Sequence, residues 1–240
     1  MKHINRALTT TTGLADLALG LAALFCAMPA VADDAVFSNS LRVGSETVFY
    51  HTKADDLTGP FVPAGVNLKA ENLETMYFGY IRRLSSAFDV ELAVGYPPLA
   101  KVRGKGPATL GSVPYNGQVI SSARWLAPTL FLEYRFMSEN SKLQPFIGVG
   151  VNYTAFYDRD STAQGNAASG GPTKLSLKAS VGPAGTVGLG YSISSHWHVY
   201  GSYSISRVNT DLTADTAGVI RRTHINFGPQ VLIISAGYSF

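Results

Sequence analysis

Residues 175–193, LSLKASVGPAGTVGLGYSI, alternate with a period of two, far longer than a strand of a soluble domain sustains. One face would carry Leu175, Leu177, Val181, Val187, Leu189 and Tyr191, the other Ser176, Lys178, Ser180, Thr186 and Ser192. Strands of globular proteins average about five or six residues. A tilted strand that crosses a bilayer needs about 9–11 residues inside the apolar zone and is free to overhang it. The same alternation predicts eight strands, near residues 40–51, 72–83, 87–98, 124–137, 143–157, 175–193, 196–207 and 223–240.

The connections alternate in length as regularly as the residues alternate in polarity. Short polar turns fall at 84–87, 138–142 and 194–196, and long segments rich in Gly, Pro, Asp, Thr and Ser fall at 52–71, 99–123, 158–174 and 208–222. Short turns on one side and long loops on the other, with an even strand count, define a fold class. It is all-β: an eight-stranded antiparallel transmembrane β-barrel with short periplasmic turns and long extracellular loops. Closure has a physical cause, because a backbone donor or acceptor in hydrocarbon must be paired and only an edgeless sheet pairs them all. A soluble ligand barrel would reverse the facing, apolar side chains inward and polar ones outward.

Facing follows from the cost of charge. In FDVELAVGY, Phe88, Val90, Leu92 and Val94 oppose Asp89 and Glu91; in TLFLEYRF, Leu130, Leu132, Tyr134 and Phe136 oppose Phe131, Glu133 and Arg135. Arg or Lys on the lipid face at mid-membrane costs ~2–4 kcal/mol, so the charged sets belong in the lumen. Arg42, Glu46, Glu91, Glu133 and Arg135 are expected to form an internal ion network in the periplasmic half, plugging and stabilising the barrel. Aromatic and apolar groups collect on the inward set toward the loop end. Tyr77, Trp125, Phe131 and Phe156 are the expected lining of a hydrophobic ligand site there, with ordinary packing of a narrow barrel as the alternative.

Prolines interrupt the wall at the same level. Pro97 and Pro98 end the third strand, and Pro128 lies early in the fourth. Proline has no N–H to give a ladder, so two neighbouring strands are expected to part there, either as a bulge or as a lateral opening toward the membrane.

Composition and motifs narrow the function classes. Charged residues are 15% of the chain, with 12 Tyr and 12 Phe, against about 25% charged in soluble domains. Lys2 and Arg6, an apolar stretch from Leu17, and AVA before Asp33 read as a secretory signal cleaved after Ala32, leaving a barrel over 33–240. Cleavage would remove Cys26, the one cysteine, and leave 17 basic against 15 acidic residues. No thiolate site, metal motif, nucleotide loop or nucleic-acid-binding charge is then expected, and no cofactor. His198 and Ser202 share an inward face but stand about 13 Å apart along a strand, too far for a nucleophile and its base; no catalytic residue is expected.

The segments LRVGSETV, FDVELAVGYPP, LAPTLFLEYRF, PFIGVGVNYTAFYD, HWHVYGSYSISRVNTDL and GPQVLIISAGYSF resemble the OmpW family of outer-membrane proteins, which includes AlkL-type alkane importers. Ala127 stands where that family usually has a proline, and Phe227-Gly228-Pro229 replaces its usual Asp-Pro-Trp stretch. The resemblance implies passive movement of small hydrophobic molecules through a hydrophobic lumen and sideways into the outer membrane of a Gram-negative bacterium. It implies outer-membrane lipid and a small hydrophobic solute as partners, and the barrel-assembly machinery through Phe240. A monomer is expected. The alternative function is a structural, adhesion or receptor barrel acting through its extracellular loops.

Overall fold

The computed structural model describes residues 39–110, 113–138 and 141–240; the segment read as a signal, 1–32, lies outside them. In chain order the first strands are β1 (Asn39–Tyr50), β2 (Lys53–Ala54), β3 (Asn67–Ala70), β4 (Leu73–Arg83), β5 (Phe88–Gly95) and β6 (Leu99–Lys105). Next come β7 (Thr109–Leu110), β8 (Val113–Pro114), β9 (Val119–Leu126), β10 (Thr129–Arg135) and β11 (Leu143–Ser161). A short helix, α1 (Ala163–Ser169), precedes β12 (Thr173–Leu177), β13 (Ser180–Ser192), β14 (Trp197–Ser206), β15 (Asn209–Thr216), β16 (Val219–Asn226) and β17 (Pro229–Ser239).

β1, β4, β5, β10, β11, β13, β14 and β17 pair antiparallel in that order, and β17 returns to β1. The closing register runs from Ser40 opposite Ser239 to Tyr50 opposite Pro229. Asn39 and Phe240 finish it with reciprocal backbone bonds of 3.2 and 2.9 Å. This half therefore satisfies its backbone without water, as hydrocarbon demands. Serines close the short turns: Ser85 Oγ accepts from the Phe88 N–H at 3.1 Å, and Ser194 Oγ from the Trp197 N–H at 3.1 Å. Beside those turns the outward face carries edge-to-face aromatic pairs, Phe88–Tyr134 at 5.3 Å and Trp197–Tyr238 at 5.1 Å. That is the aromatic girdle of a membrane interface.

The segments expected to be long loops are in large part more wall. β3, β6, β9, β12, β15, β16 and β2 continue the strands beyond the closed half and pair among themselves. Here the facing inverts. Leu68, Leu212, Ile225 and Phe227 are buried inside, while Lys69, Lys101, Asp211 and Arg222 are exposed outside. A charged outer face cannot lie in hydrocarbon, so this half stands clear of the bilayer.

The run 175–193 is two strands rather than one. Lys178 and Ala179 leave the sheet, and the facing flips across them. Leu175 and Leu177 pack inward on the apolar cluster of the loop-end half, whereas Val181, Val187 and Leu189 are exposed on the outer face. Two reading frames of one alternation are joined by a break, where Thr210 Oγ1 donates to the Lys178 carbonyl at 2.6 Å.

The wall also parts where the closed half meets the loop-end strands: β2 and β3 share no ladder, and two further seams flank the prolines and β11. The β5–β10 ladder stops at Ala93 opposite Thr129 and resumes between β6 and β9 at Leu99 opposite Arg124. Between those points residues 94–98 and 125–128 form no ladder with one another, and Arg124 Nη1 reaches across to the Pro97 carbonyl at 3.0 Å. Pro97, Pro98 and Pro128 all lie in this seam. The second seam separates β11 from the strand beside it. Pairing ends at Thr154 opposite Ser180 and returns only at Asp160 opposite Lys174. Arg159 Nη1 to the Leu177 carbonyl, 3.3 Å, spans it, and Asp158 holds a left-handed φ of 44° beside it.

Candidate functional site

The periplasmic half of the lumen is filled by paired charges. Arg42, 1% exposed, projects from β1 and donates to Glu91 Oε1 at 2.9 Å and Ser235 Oγ at 3.2 Å. Its guanidinium lies 4.1 Å from the Tyr200 ring centroid, a desolvated cation–π contact. Tyr77 donates its hydroxyl to the same Glu91 carboxyl. Arg135 is paired with Asp89 at 2.9 Å and also donates to the Ser85 and Ser86 carbonyls at 3.2 and 3.0 Å. Glu133, also buried, lines the same small space as Asp89 and Arg135. Each charge is thus placed by a β-strand whose next residue faces lipid, and the cluster closes the bore.

Glu46 does not join this cluster. It lies one inward position above Gly44 on β1, 7% exposed, with no hydrogen bond or ion pair to any described residue. Asp89, absent from the predicted network, occupies the place beside Arg135 instead. The FDVELAVGY alternation already put Asp89 on the inward face with Glu91.

Above the plug opens a chamber of about 1190 Å³, counting its mouth. Trp125, Phe131 and Phe156 line it, as do Tyr50, Ile225 and Phe227, which sequence reasoning missed. Phe227 stands at the centre of the aromatic group, 6.0 Å from Tyr50 and 5.7 Å from Phe156 between ring centroids. Tyr77 lies below, packed on Phe131, Ala93 and Ile233, and forms the boundary between chamber and plug. Three of the polar side chains on the wall satisfy one another: Asn152 Nδ2 donates to Thr129 Oγ1 at 2.8 Å, and Thr154 Oγ1 to Asn152 Oδ1 at 2.7 Å. Both lips of the proline seam belong to the lining, Val94 and Gly95 on one side, Ala127 and Thr129 on the other.

A second space of about 760 Å³, counting the open solvent at its mouth, lies toward the loops. Leu68, Leu175, Leu212 and Ser121 line both spaces, so they form a neck between them. Arg221 ties the roof of this vestibule, donating to the Pro60 carbonyl at 3.2 Å, the Ser169 carbonyl at 3.4 Å and Thr216 Oγ1 at 3.3 Å. Outside, Asp211 accepts from His224 at 2.8 Å and Lys178 at 2.9 Å. Those hydrogen bonds, His224's first, hold its carboxyl below the ordinary carboxylate range.

A closed eight-stranded wall with an apolar outer band, an aromatic girdle and a charged lumen defines an outer-membrane β-barrel. The OmpW family model matches residues 38–240, and the chain belongs to the OmpW family. Outer membrane protein W of Salmonella typhimurium is 34% identical over 142 residues, 56% of this chain and 66% of that protein, so the match spans just under two thirds of that relative's length. Outer membrane protein AlkL of Ectopseudomonas oleovorans is 29% identical over 170 residues, 70% of this chain and 67% of that protein. The crystal structure of OprG from Pseudomonas aeruginosa has the same fold, with a TM-score of 0.76 at 24% identity over 85% of this chain and 96% of that one. The protein accordingly belongs in the outer membrane of a Gram-negative bacterium.

Proposed function

We propose that the protein is a passive conduit for small hydrophobic molecules. They enter the vestibule, pass the leucine neck, occupy the aromatic chamber and leave sideways through the proline seam into the outer leaflet. The observation that carries this reading is the coincidence of three features at one level. The charged plug bars the way down, the chamber above it is apolar, and its lining includes both lips of the unpaired stretch. A solute that cannot continue along the axis has a lateral route at the height where the wall is unzipped.

The driving force is partition. Transfer of apolar surface out of water is favourable by ~25 cal/mol per Å², so no nucleotide, metal or catalytic step is required. The tube above the bilayer would shield the solute from the polar saccharide layer. Within this reading the chain acts as a monomer in lipid, and Phe240 on the outward face is its address for the barrel-assembly machinery.

The test is uptake of an apolar fluorophore by cells carrying the wild type or a variant with Pro97→Val, Pro98→Thr and Pro128→Val. Restored donors would let the two strands pair, with each new hydrogen bond adding about 1 kcal/mol of stability. A barrel that becomes more stable and loses uptake supports the lateral route. Full uptake through the repaired wall would rule it out.

A further inference from the structure

Glu46 has no role in the plug and none in a purely hydrophobic conduit. A carboxyl buried without a hydrogen-bond partner is a standing cost in any folded chain. Several groups around it are engaged elsewhere: the Tyr77 hydroxyl is donated to Glu91, Arg42 is engaged with Glu91 and Ser235, and Asn152, Thr129 and Thr154 satisfy one another. Yet Glu46 lines the chamber, where the surrounding wall is Val48, Ala93, Val231 and Ile233.

Its position is specific as well as unpartnered. A Cβ added at Gly95 would collide with Glu46 Oε1, with Cδ only 2.9 Å away. The carboxyl therefore lies against the bare backbone of Gly95, the last residue of β5 before the seam. Reaching from β1 past β4 to that edge, it occupies the threshold of the lateral route. The missing side chain at residue 95 is what makes room for it.

We propose that Glu46 is the polar end of a binding site for amphiphiles: molecules with an apolar body and one hydrogen-bond-donating head, a hydroxyl or an amine. This rests on the reading of the chamber as the place where apolar solutes bind, and it names the class of solute. The body lies among Phe131, Phe156 and Phe227, and the head donates to Glu46 beside Gly95. A solute that supplies the missing donor gains the bond and relieves the orphan carboxyl, whereas a bare hydrocarbon does neither. A hydrogen bond to a charged group contributes about 1.5–3 kcal/mol, a discrimination of about 10- to 100-fold.

The experiment measures binding of octane, octanol and octylamine to the purified full barrel in lipid nanodiscs, read by fluorescence of the chamber tryptophan, Trp125, with Trp197→Phe as the background. Glu46→Leu keeps the volume of the side chain and removes its acceptors. It should weaken octanol and octylamine by about 10- to 100-fold and leave octane unchanged. Glu46→Gln keeps a carbonyl acceptor without the charge and should retain octanol while losing octylamine. Gly95→Ala leaves Glu46 in the sequence but displaces its carboxyl, and should reproduce the selective loss; it serves if the Leu variant fails to fold. Equal losses for all three ligands, or no loss for any, would overturn the assignment of Glu46 while leaving the chamber as a hydrophobic site. Failure of the unmutated barrel to bind octane or octanol would overturn both readings.

Discussion

Strand by strand, the barrel contains two halves built from one alternation with opposite polarity. On the path from β16 to β17, the outward residues change from Arg222 and His224 to Leu232, Ile234 and Tyr238, while the inward ones change from Ile225 and Phe227 to Ser235 and Ser239. In the bilayer half, hydrocarbon solvates the outside and charges must be paired within. In the loop-end half, water solvates the outside and the bore is free to be apolar. The halves differ also in continuity, since the ladder is unbroken through the first and parts at seams where the first meets the second. Polarity inside the tube is therefore a consequence of what surrounds it, and the apolar chamber is a by-product of leaving the membrane.

If that contrast is correct, substitutions should have very different effects in the two halves. The largest effect is expected at Arg42. Arg42→Met leaves Glu91 buried without its cation, a loss of about 3–5 kcal/mol that chemical unfolding of the barrel in lipid vesicles would measure. An effect below 1 kcal/mol, on the scale of an exposed pair, would dissolve the distinction between plug and chamber. Next is the outer face: Ile234→Lys places a charge in hydrocarbon at ~2–4 kcal/mol, whereas Thr213→Lys, outward on β15, should leave stability unchanged. Comparable losses from both would mean that the bilayer reaches higher up the wall than the inversion implies.

The smallest effect concerns the exposed contacts of Asp211. Its carboxyl is held low by His224 and then Lys178, so their contribution is present above the ordinary carboxylate range and is lost as pH falls through the depressed value. A carboxyl NMR titration should find a midpoint below that range, and His224→Ala should move it upward. Unfolding should not register the change, because the pair is exposed to solvent and such contacts contribute little.

Legibility in the sequence followed the same division. The closed half was readable because the cost of charge in lipid fixes facing: TLFLEYRF and VLIISAGYSF assign each side chain to one surface. NTDLTADT on β15 alternates as regularly, yet its apolar members are only Leu212 and Ala214, and the Gly, Asp and Thr around it read as loop. Without lipid outside, alternation no longer says which side is in, and the frame change at Lys178 is invisible to a rule that assumes one face throughout. Pro97, Pro98 and Pro128 marked the first seam because proline removes a donor. The second seam contains no proline among residues 155–159 and 175–179, and beside it Asp158 holds a left-handed φ. Glu46 was assigned to the right surface but to the wrong neighbours, since parity fixes direction and not which of several inward groups comes within reach.

The polarity inversion also acts as a depth gauge. Sinking the barrel by one pair of residues would draw charged side chains of the loop-end half toward hydrocarbon, and raising it would strip lipid from the aromatic girdle. Each displacement costs kilocalories, so the molecule indexes itself along the membrane normal. The seam lies next to the inversion and is therefore held at a fixed height in the outer leaflet, as a floating lock keeps its gate at the waterline.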